Sequence, residues 1–268
     1  MKQSTVLGDI PPKLKKEFYV ELATPAANIF NSITMSGEYP RQWVREYTSP
    51  IPKVQPVETE DDLRPISLTA DLSKDYENFL MEGLEPYLRD KRDPAQMGGQ
   101  KGCSIVHYLI TLFDFILQRT DIKDTVTRSV VVSLIDYSKG FNRISHSKLI
   151  IRLSDWGVPG WILRIIVSYL TERTMTLRYR KEWSEPQSLP GGTVQGSLLG
   201  MILFVIELSD AGMPVPSQAG SQDIISVQNP LPSVTEDELR LKYIDDHTQG
   251  EVIKLKSVLK LNENINAK

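Results

Sequence analysis

The stretch Leu241-Lys242-Tyr243-Ile244-Asp245-Asp246-His247-Thr248 constrains this chain more than any other. Leu239, Leu241 and Tyr243 alternate with Arg240 and Lys242, and that period of two reads as a half-buried strand whose end carries a pair of acids. Adjacent residues on a strand point to opposite faces, so one acid can face a site while the other stays close behind. A third acid holds a matching place: the β-branched run Val130-Val131-Val132-Ser133-Leu134-Ile135 ends at Asp136. Two strands ending in Asp, set side by side, make a cluster of like charges that is stable only around a cation. Hard divalent ions with oxygen ligands, Mg²⁺ above all, suit such a cluster. An Asp-Asp pair alone is most often a solvated turn, so the rest of the chain decides between the two readings.

The bulk properties narrow the class. At 268 residues the chain can bury a large core, in one domain or two closely joined subdomains. The longest uncharged apolar run, Leu198 to Ile206, falls well short of the ~20 residues of a membrane span. Met1 to Thr5 lacks the apolar region of a signal peptide. Cys103 is the single cysteine, so neither an internal disulfide nor a zinc-type Cys/His cluster can form. These features predict an intracellular protein of nucleus or cytoplasm, not secreted and with no membrane partner. The net charge of −3 argues mildly against a nucleic-acid partner, unless basic groups are gathered locally or supplied by a further segment.

Along the chain, Leu14, Phe18, Leu22, Ile29 and Phe30 predict one or two amphipathic helices over 13–31, broken near Pro25. Tyr47 to Lys53 reads as an extended edge segment because of its prolines, and Glu58 to Asp62 as an acidic turn. Arg64-Pro65-Ile66-Ser67-Leu68 is extended, since the residue before proline avoids helix. Leu72, Tyr76, Leu80, Leu84 and Leu88 recur every four residues and predict a helix over 71–88, capped by Asp71 or Ser73. Ile105 to Leu117 matches helical spacing almost without a miss. Helices over 147–156 and 161–170, a strand over 175–180 and the apolar helix 198–208 follow. Residues 211–237, rich in Pro, Ser, Gly and Gln, read as a loop or insertion, and a short amphipathic helix is expected over roughly 251–265. Helices packed on a few non-consecutive strands make the class α+β.

Four blocks stand in a fixed order: Arg64-Pro65-Ile66-Ser67-Leu68; Asp136-Tyr137-Ser138-Lys139-Gly140-Phe141-Asn142-Arg143-Ile144; Gln195-Gly196-Ser197-Leu198-Leu199-Gly200; and Tyr243-Ile244-Asp245-Asp246. With Ser36 to Trp43, Ile51-Pro52-Lys53 and Gly98 to Ser104, they resemble the reverse transcriptase domain of non-LTR (LINE-type) retrotransposons, over nearly the whole chain from about Ile10. The resemblance implies a right-hand polymerase fold of fingers and palm, an antiparallel palm sheet packed on helices, and no thumb. Residues up to about 130 would be mainly fingers, with helices crossing to the palm. Residues from about 131 to 268 would be mainly palm, with the insertion near 211–237. A missing thumb would also account for the acidic balance.

The implied reaction is RNA-directed DNA synthesis, in which the 3′-hydroxyl of a DNA primer on an RNA template attacks the α-phosphate of a dNTP. Asp136 and Asp245 are the implied ligands of two Mg²⁺ ions, for which Mn²⁺ can stand in, with Asp246 beside them and the Tyr137 carbonyl as a backbone ligand. Carboxylates serve because phosphoryl transfer is chiefly a matter of positioning and charge neutralisation. Phe141 matches the bulky residue under the incoming sugar, where a ring would clash with a 2′-hydroxyl; ordinary core packing is its other reading. Arg64 matches the arginine that contacts the triphosphate, with Lys53 as a possible assistant, and Gln195 and Gly196 match the loop that touches nucleotide and template. His107 reads as a packed helix residue, His146 and Lys139 as supports of the Asp136 strand, and His247 as a surface residue. Val194, Asn142 and Ile244 depart from the usual proline, aspartate and alanine at their positions. The second reading is a catalytically silent remnant that at most binds nucleic acid. The sequence leaves the oligomeric state open.

Overall fold

In chain order the computed structural model forms α1 (Pro12–Glu17), α2 (Tyr19–Ser36), β1 (Arg45–Pro52), β2 (Leu63–Leu68), α3 (Asp71–Leu88), α4 (Ile105–Thr120), β3 (Arg128–Asp136), α5 (His146–Asp155), α6 (Gly160–Leu170), β4 (Thr174–Tyr179), β5 (Glu182–Trp183), β6 (Gln187–Ser188), α7 (Leu198–Glu207), β7 (Glu238–Tyr243) and β8 (Asp246–Lys254). Short 3₁₀ turns lie at Glu60–Asp62 and Gly140–Arg143. The structure describes residues 10–99, 102–121, 128–136, 140–179, 182–209, 238–244 and 246–254. The expected insertion at 211–237 lies outside them. The chain divides into two compact units, each built from two stretches: Met1–Lys91 with Lys139–Glu207, and Arg92–Ser138 with Leu208–Lys268.

In the first unit, α3 follows its four-residue period: Tyr76, Leu80, Leu84 and Leu88 are fully buried, and the helix packs against α6 and α7. The expected side-chain cap is absent. Ala70 is the N-cap, and Ser73 is instead buried and bonded to Glu77. The first helical stretch breaks at Phe18, and α2 runs on through Pro25, contrary to the expectation from sequence. Proline removes the hydrogen bond to the carbonyl of Glu21, but both residues are exposed, so water takes its place.

The sheet of this unit runs β2-β1-β4-β5, with β6 also paired to β4. β1 is therefore central where β4 reaches it and has a single neighbour beyond. It pairs antiparallel with β2 along Tyr47–Pro52 and parallel with β4 only along Arg45–Thr48. Pro50 and Pro52 fall beyond the reach of β4, so each lacks an N–H only where no second ladder asks for one.

In the second unit, β8 lies between β3 and β7, antiparallel to both. Residues 251–254, expected to open a terminal helix, are the end of β8; the ladder with β3 runs on to Lys254, beyond the last β7 partner at Glu251, and overrides the local helical pattern. Tyr108 and Phe115 of α4 pack on Leu239 and Leu241 of β7, with Met97, Leu112, Ile116, Val130 and Tyr243 around them. The alternation of β7 does not mark a half-buried strand, because Arg240 (8% exposed) and Lys242 (2%) are as buried as Leu239 and Leu241. Asp93 takes both cations: Arg240 meets its carboxylate with two bonds of 3.1 Å, and the Lys242 ammonium stands 2.7 Å away.

Candidate active site

The second unit holds the acids. Register in the β3–β8 ladder sets Asp136 directly opposite Asp246, and in the β7–β8 ladder sets Tyr243 opposite the same residue. The chain therefore turns back on itself between Tyr243 and Asp246. Ile244 enters that turn at φ 59°, a left-handed conformation that costs a β-branched residue about 1–3 kcal/mol. Asp245 and Tyr137 lie outside the described residues. Directly opposed positions in an antiparallel pair share one face of the sheet, where two like charges repel unless a cation intervenes. Oxygen donors on adjoining strand ends fit a hard divalent ion in kind. Among the described residues, no group of three or more His, Cys, Asp or Glu clusters in a way that could hold a metal.

The first unit holds the other candidates. Arg64 of β2 is exposed opposite Ile51, and Lys53 follows β1 at the same end of this hairpin, tied by its N–H to the Asp62 carbonyl at 2.7 Å. A groove of about 540 Å³ is walled by Pro65 and Ser67 on one side and by Asn142, Arg143 and the loop 189–195, which includes Gln195, on the other. Its floor contains a buried ion pair, with Arg173 Nε donating to Glu46 at 2.9 Å and Ser67 Oγ donating to the second Glu46 oxygen at 2.9 Å. Arg173 Nη2 and Thr193 Oγ1, both buried, have no hydrogen-bond partner among the described residues.

The glycine-rich loop is fastened to the 3₁₀ turn that begins at Gly140. Thr193 N–H donates to the Phe141 carbonyl at 2.8 Å and Gly192 N–H to the Ile144 carbonyl at 3.1 Å. A Cβ at Gly192 would sit 2.6 Å from the Phe141 carbonyl oxygen, at φ +81°, so no other residue fits. His146 bonds the Gly192 carbonyl at 2.7 Å, which makes it a support of this loop. The Phe141 ring is half-buried and stacked on Phe204 at 4.3 Å between centroids. His107 is exposed and not packed; its Nδ1 accepts the Ser104 N–H in a capping box at the start of α4. Lys139 lies outside the described residues, as does the side chain of His247.

Two charged residues that sequence reading passed over do much of the positioning. Asp93, already described, neutralises β7 on its way to the acids. Glu77, fully buried on α3, accepts the Leu199 N–H at 3.1 Å and so caps α7, the helix that follows Gln195 and Gly196. Burial pushes the Glu77 carboxyl above the usual carboxylate range, while the N–H groups of Leu199 and Leu198, the Ser73 hydroxyl and the Arg173 charge pull it back. Burial likewise raises the hydroxyls of Tyr39 and Tyr169; the first bonds Ser73 and the second bonds Ser197 at 2.6 Å. Only the position of Glu77 one turn after Ser73, in an otherwise apolar stripe, marked it in the sequence.

A family model described as reverse transcriptase (RNA-dependent DNA polymerase) matches residues 51–249. The chain belongs to the reverse transcriptase family. This reverse transcriptase domain is 29% identical over 217 residues to the probable RNA-directed DNA polymerase from transposon BS of Drosophila melanogaster, covering 80% of the chain and 23% of that protein. It is 27% identical over 204 residues to the RNA-directed DNA polymerase from mobile element jockey of the same fly (74% and 22% covered). It is also 27% identical over 198 residues to the Pol polyprotein of retrotransposable element R2DM (72% and 18%). These relatives are polymerases of non-LTR retrotransposons, and the chain spans less than a quarter of the length of each. Telomerase from Candida tropicalis in complex with a TWJ fragment of telomeric RNA superposes with a TM-score of 0.51 over 91% of this chain and 42% of that one, at 12% identity, a likeness of fold alone. Members of the reverse transcriptase family use divalent metal ions, in keeping with the donor chemistry of the opposed acids.

Proposed function

We propose that this domain belongs to an RNA-directed DNA polymerase and carries out template-directed transfer of a nucleotide from dNTP to a primer 3′-hydroxyl. One observation carries the reading: β3 and β8 pair in the register that opposes Asp136 and Asp246 at the mouth of the Tyr243–Asp246 turn. Asp136, Asp245 and Asp246, with the Tyr137 carbonyl, would hold two Mg²⁺ ions, or Mn²⁺ in their place. Bound there, the ions would polarise the attacking and leaving oxygens of an in-line displacement. Arg64 and Lys53 would supply the positive charge for triphosphate oxygens, Arg64 through its planar fork. Gln195, which lines the groove, and Gly196 beside it, on the loop fastened by Thr193 and His146, would meet nucleotide and template. The stack on Phe204 fixes the Phe141 ring, and a fixed ring is what exclusion of a 2′-hydroxyl requires. In this reading the three-stranded sheet is the palm, the β1–β2 hairpin belongs to the fingers, and the partners are an RNA template and a DNA primer, as for the RNA-directed polymerases it resembles.

The test is extension of oligo(dT) on poly(A) with Mg²⁺, comparing the wild type with Asp136→Ala and Asp245→Ala. Incorporation confined to the wild type is expected, and equal incorporation by all three overturns the assignment. Thermal shift on titration with Mn²⁺ runs beside it. Stabilisation of the wild type but not of Asp245→Asn is expected. The same shift in both, or none in either, removes the metal site and leaves a nucleic-acid-binding remnant.

A further inference from the structure

Within the second unit, a segment distant in sequence lies along the last strand before the acids. Met97 N–H donates to the Lys242 carbonyl at 2.8 Å and Lys242 N–H to the Ala95 carbonyl at 2.7 Å, so residues 95–97 form a short parallel bridge to β7. Asp93, holding Arg240 and Lys242, also accepts the Ala95 N–H at 2.9 Å and fixes where this bridge begins. One residue further along, the Gln96 side chain, 2% exposed, reaches the turn itself. Its Oε1 accepts the Ile244 N–H at 2.9 Å and its Nε2 donates to the Ile244 carbonyl at 3.2 Å. The same Oε1 accepts the Gly98 N–H at 3.0 Å.

A single amide thus takes both backbone polar groups of the residue that stands in the left-handed conformation next to the acids. The orientation of the amide follows from the bonding, since an N–H needs an acceptor and a carbonyl a donor. The fit leaves no slack. A Cβ at Gly98 would lie 2.5 Å from the Ile244 nitrogen and 2.7 Å from its Cγ1. A turn residue whose φ is intrinsically disfavoured needs its surroundings to fix it, and here the surroundings are Gln96, Gly98 and the Asp93-anchored bridge. Because Ile244 is bonded directly to Asp245, a change in its backbone dihedrals would swing the acids that follow.

We infer that Gln96 is a positioning residue for the reaction: its amide clamps the backbone of Ile244 and thereby sets the turn that carries Asp245 and Asp246. The inference rests on the polymerase reading, because it assigns the turn its purpose. Gln96→Met keeps the length and apolar stem but removes both bonds. Gln96→Glu keeps the shape and the two acceptances but cannot donate to the Ile244 carbonyl. A misplacement of about 1 Å at a reacting centre costs on the order of 100-fold in rate. Both variants are therefore expected to lower kcat by about 10- to 100-fold while the KM for dTTP on poly(A)/oligo(dT) stays within about twofold.

Two readouts do not depend on turnover. Hydrogen exchange at the Ile244 amide should rise by at least about tenfold in Gln96→Met, with the amides of β3 unchanged. The Mn²⁺ midpoint for thermal stabilisation should move upward by a comparable factor in both variants. Wild-type exchange protection, metal midpoint and kcat in Gln96→Glu and Gln96→Met overturn the clamp, even where Asp246→Ala is inactive. If Asp246→Ala instead matches the wild type in incorporation and metal response, the polymerase reading itself falls. The exchange result still reports whether the clamp exists. Should Gln96→Met lose its fold, Gln96→Glu carries the same three measurements.

Discussion

Replacing Asp93 by Ala should destabilise the second unit more than any surface change. Asp93 is buried between two cations that are themselves buried, with Arg240 held by two bonds of 3.1 Å and Lys242 at 2.7 Å. Desolvating three charges is costly and is offset only while the carboxylate sits between the two cations. Removing one partner of such a buried pair costs about 3–5 kcal/mol. At about 2–4 °C per kcal/mol for a domain of this size, that is a fall of about 6–20 °C in Tm. Asp93→Asn, which keeps the shape and some hydrogen bonds, should lose less. The variant combining Asp93→Leu, Arg240→Met and Lys242→Met should recover most of the loss, since apolar replacements of similar volume are often neutral. Recovery will be incomplete, because Lys242 also donates to the Leu208 carbonyl at 2.9 Å, which the triple variant leaves without that donor. The assay is urea unfolding followed by near-UV circular dichroism and calorimetry, at low and at 1 M salt. A cost below about 1 kcal/mol for Asp93→Ala, or one that vanishes at 1 M salt as exposed pairs do, would refute the buried triad.

Gly192→Ala should lower stability by at least about 1–2 kcal/mol in chemical denaturation, since the left-handed φ alone costs that much and the new Cβ meets the Phe141 carbonyl oxygen at 2.6 Å. Glu77→Gln should change the pH dependence of stability. The wild-type carboxyl is raised by burial, so its unfolded form ionises first, and its contribution is fully present below the unfolded pKa and lost as pH rises through the folded one. The non-titrating glutamine keeps its contribution, so the difference in unfolding free energy should move in its favour as pH climbs above the ordinary carboxylate range. A flat difference between pH 4 and 8 would mean that Glu77 is not desolvated.

What the sequence displayed and what it hid divide along a physical line. Helices such as α3 and α4 were legible because their apolar faces repeat locally, β3 because of its β-branched run and β7 because of its alternation. Non-local partners leave no such trace. Arg240 and Lys242 read as the solvent side of β7 because nothing in the alternation announces that Asp93, far back in the chain, would bury them both. The prolines of β1 correctly signalled a missing ladder, but only the pairing with β4 shows that the gap covers half of the strand. At the candidate site, the sequence showed the acids at strand ends, but not that β8, opening at Asp246, would stand between β3 and β7 and oppose Asp246 to Asp136. The role of His146 on the glycine-rich loop and the cap supplied by Glu77 depend on contacts that no periodicity encodes.

The ladder that opposes Asp136 and Asp246 also dictates where this domain can tolerate insertions and deletions. Nine consecutive residues of β3 are matched one to one with β8, so a single codon lost from either would slide the acids past each other and turn one away from its partner. Both strands are therefore locked to each other residue by residue.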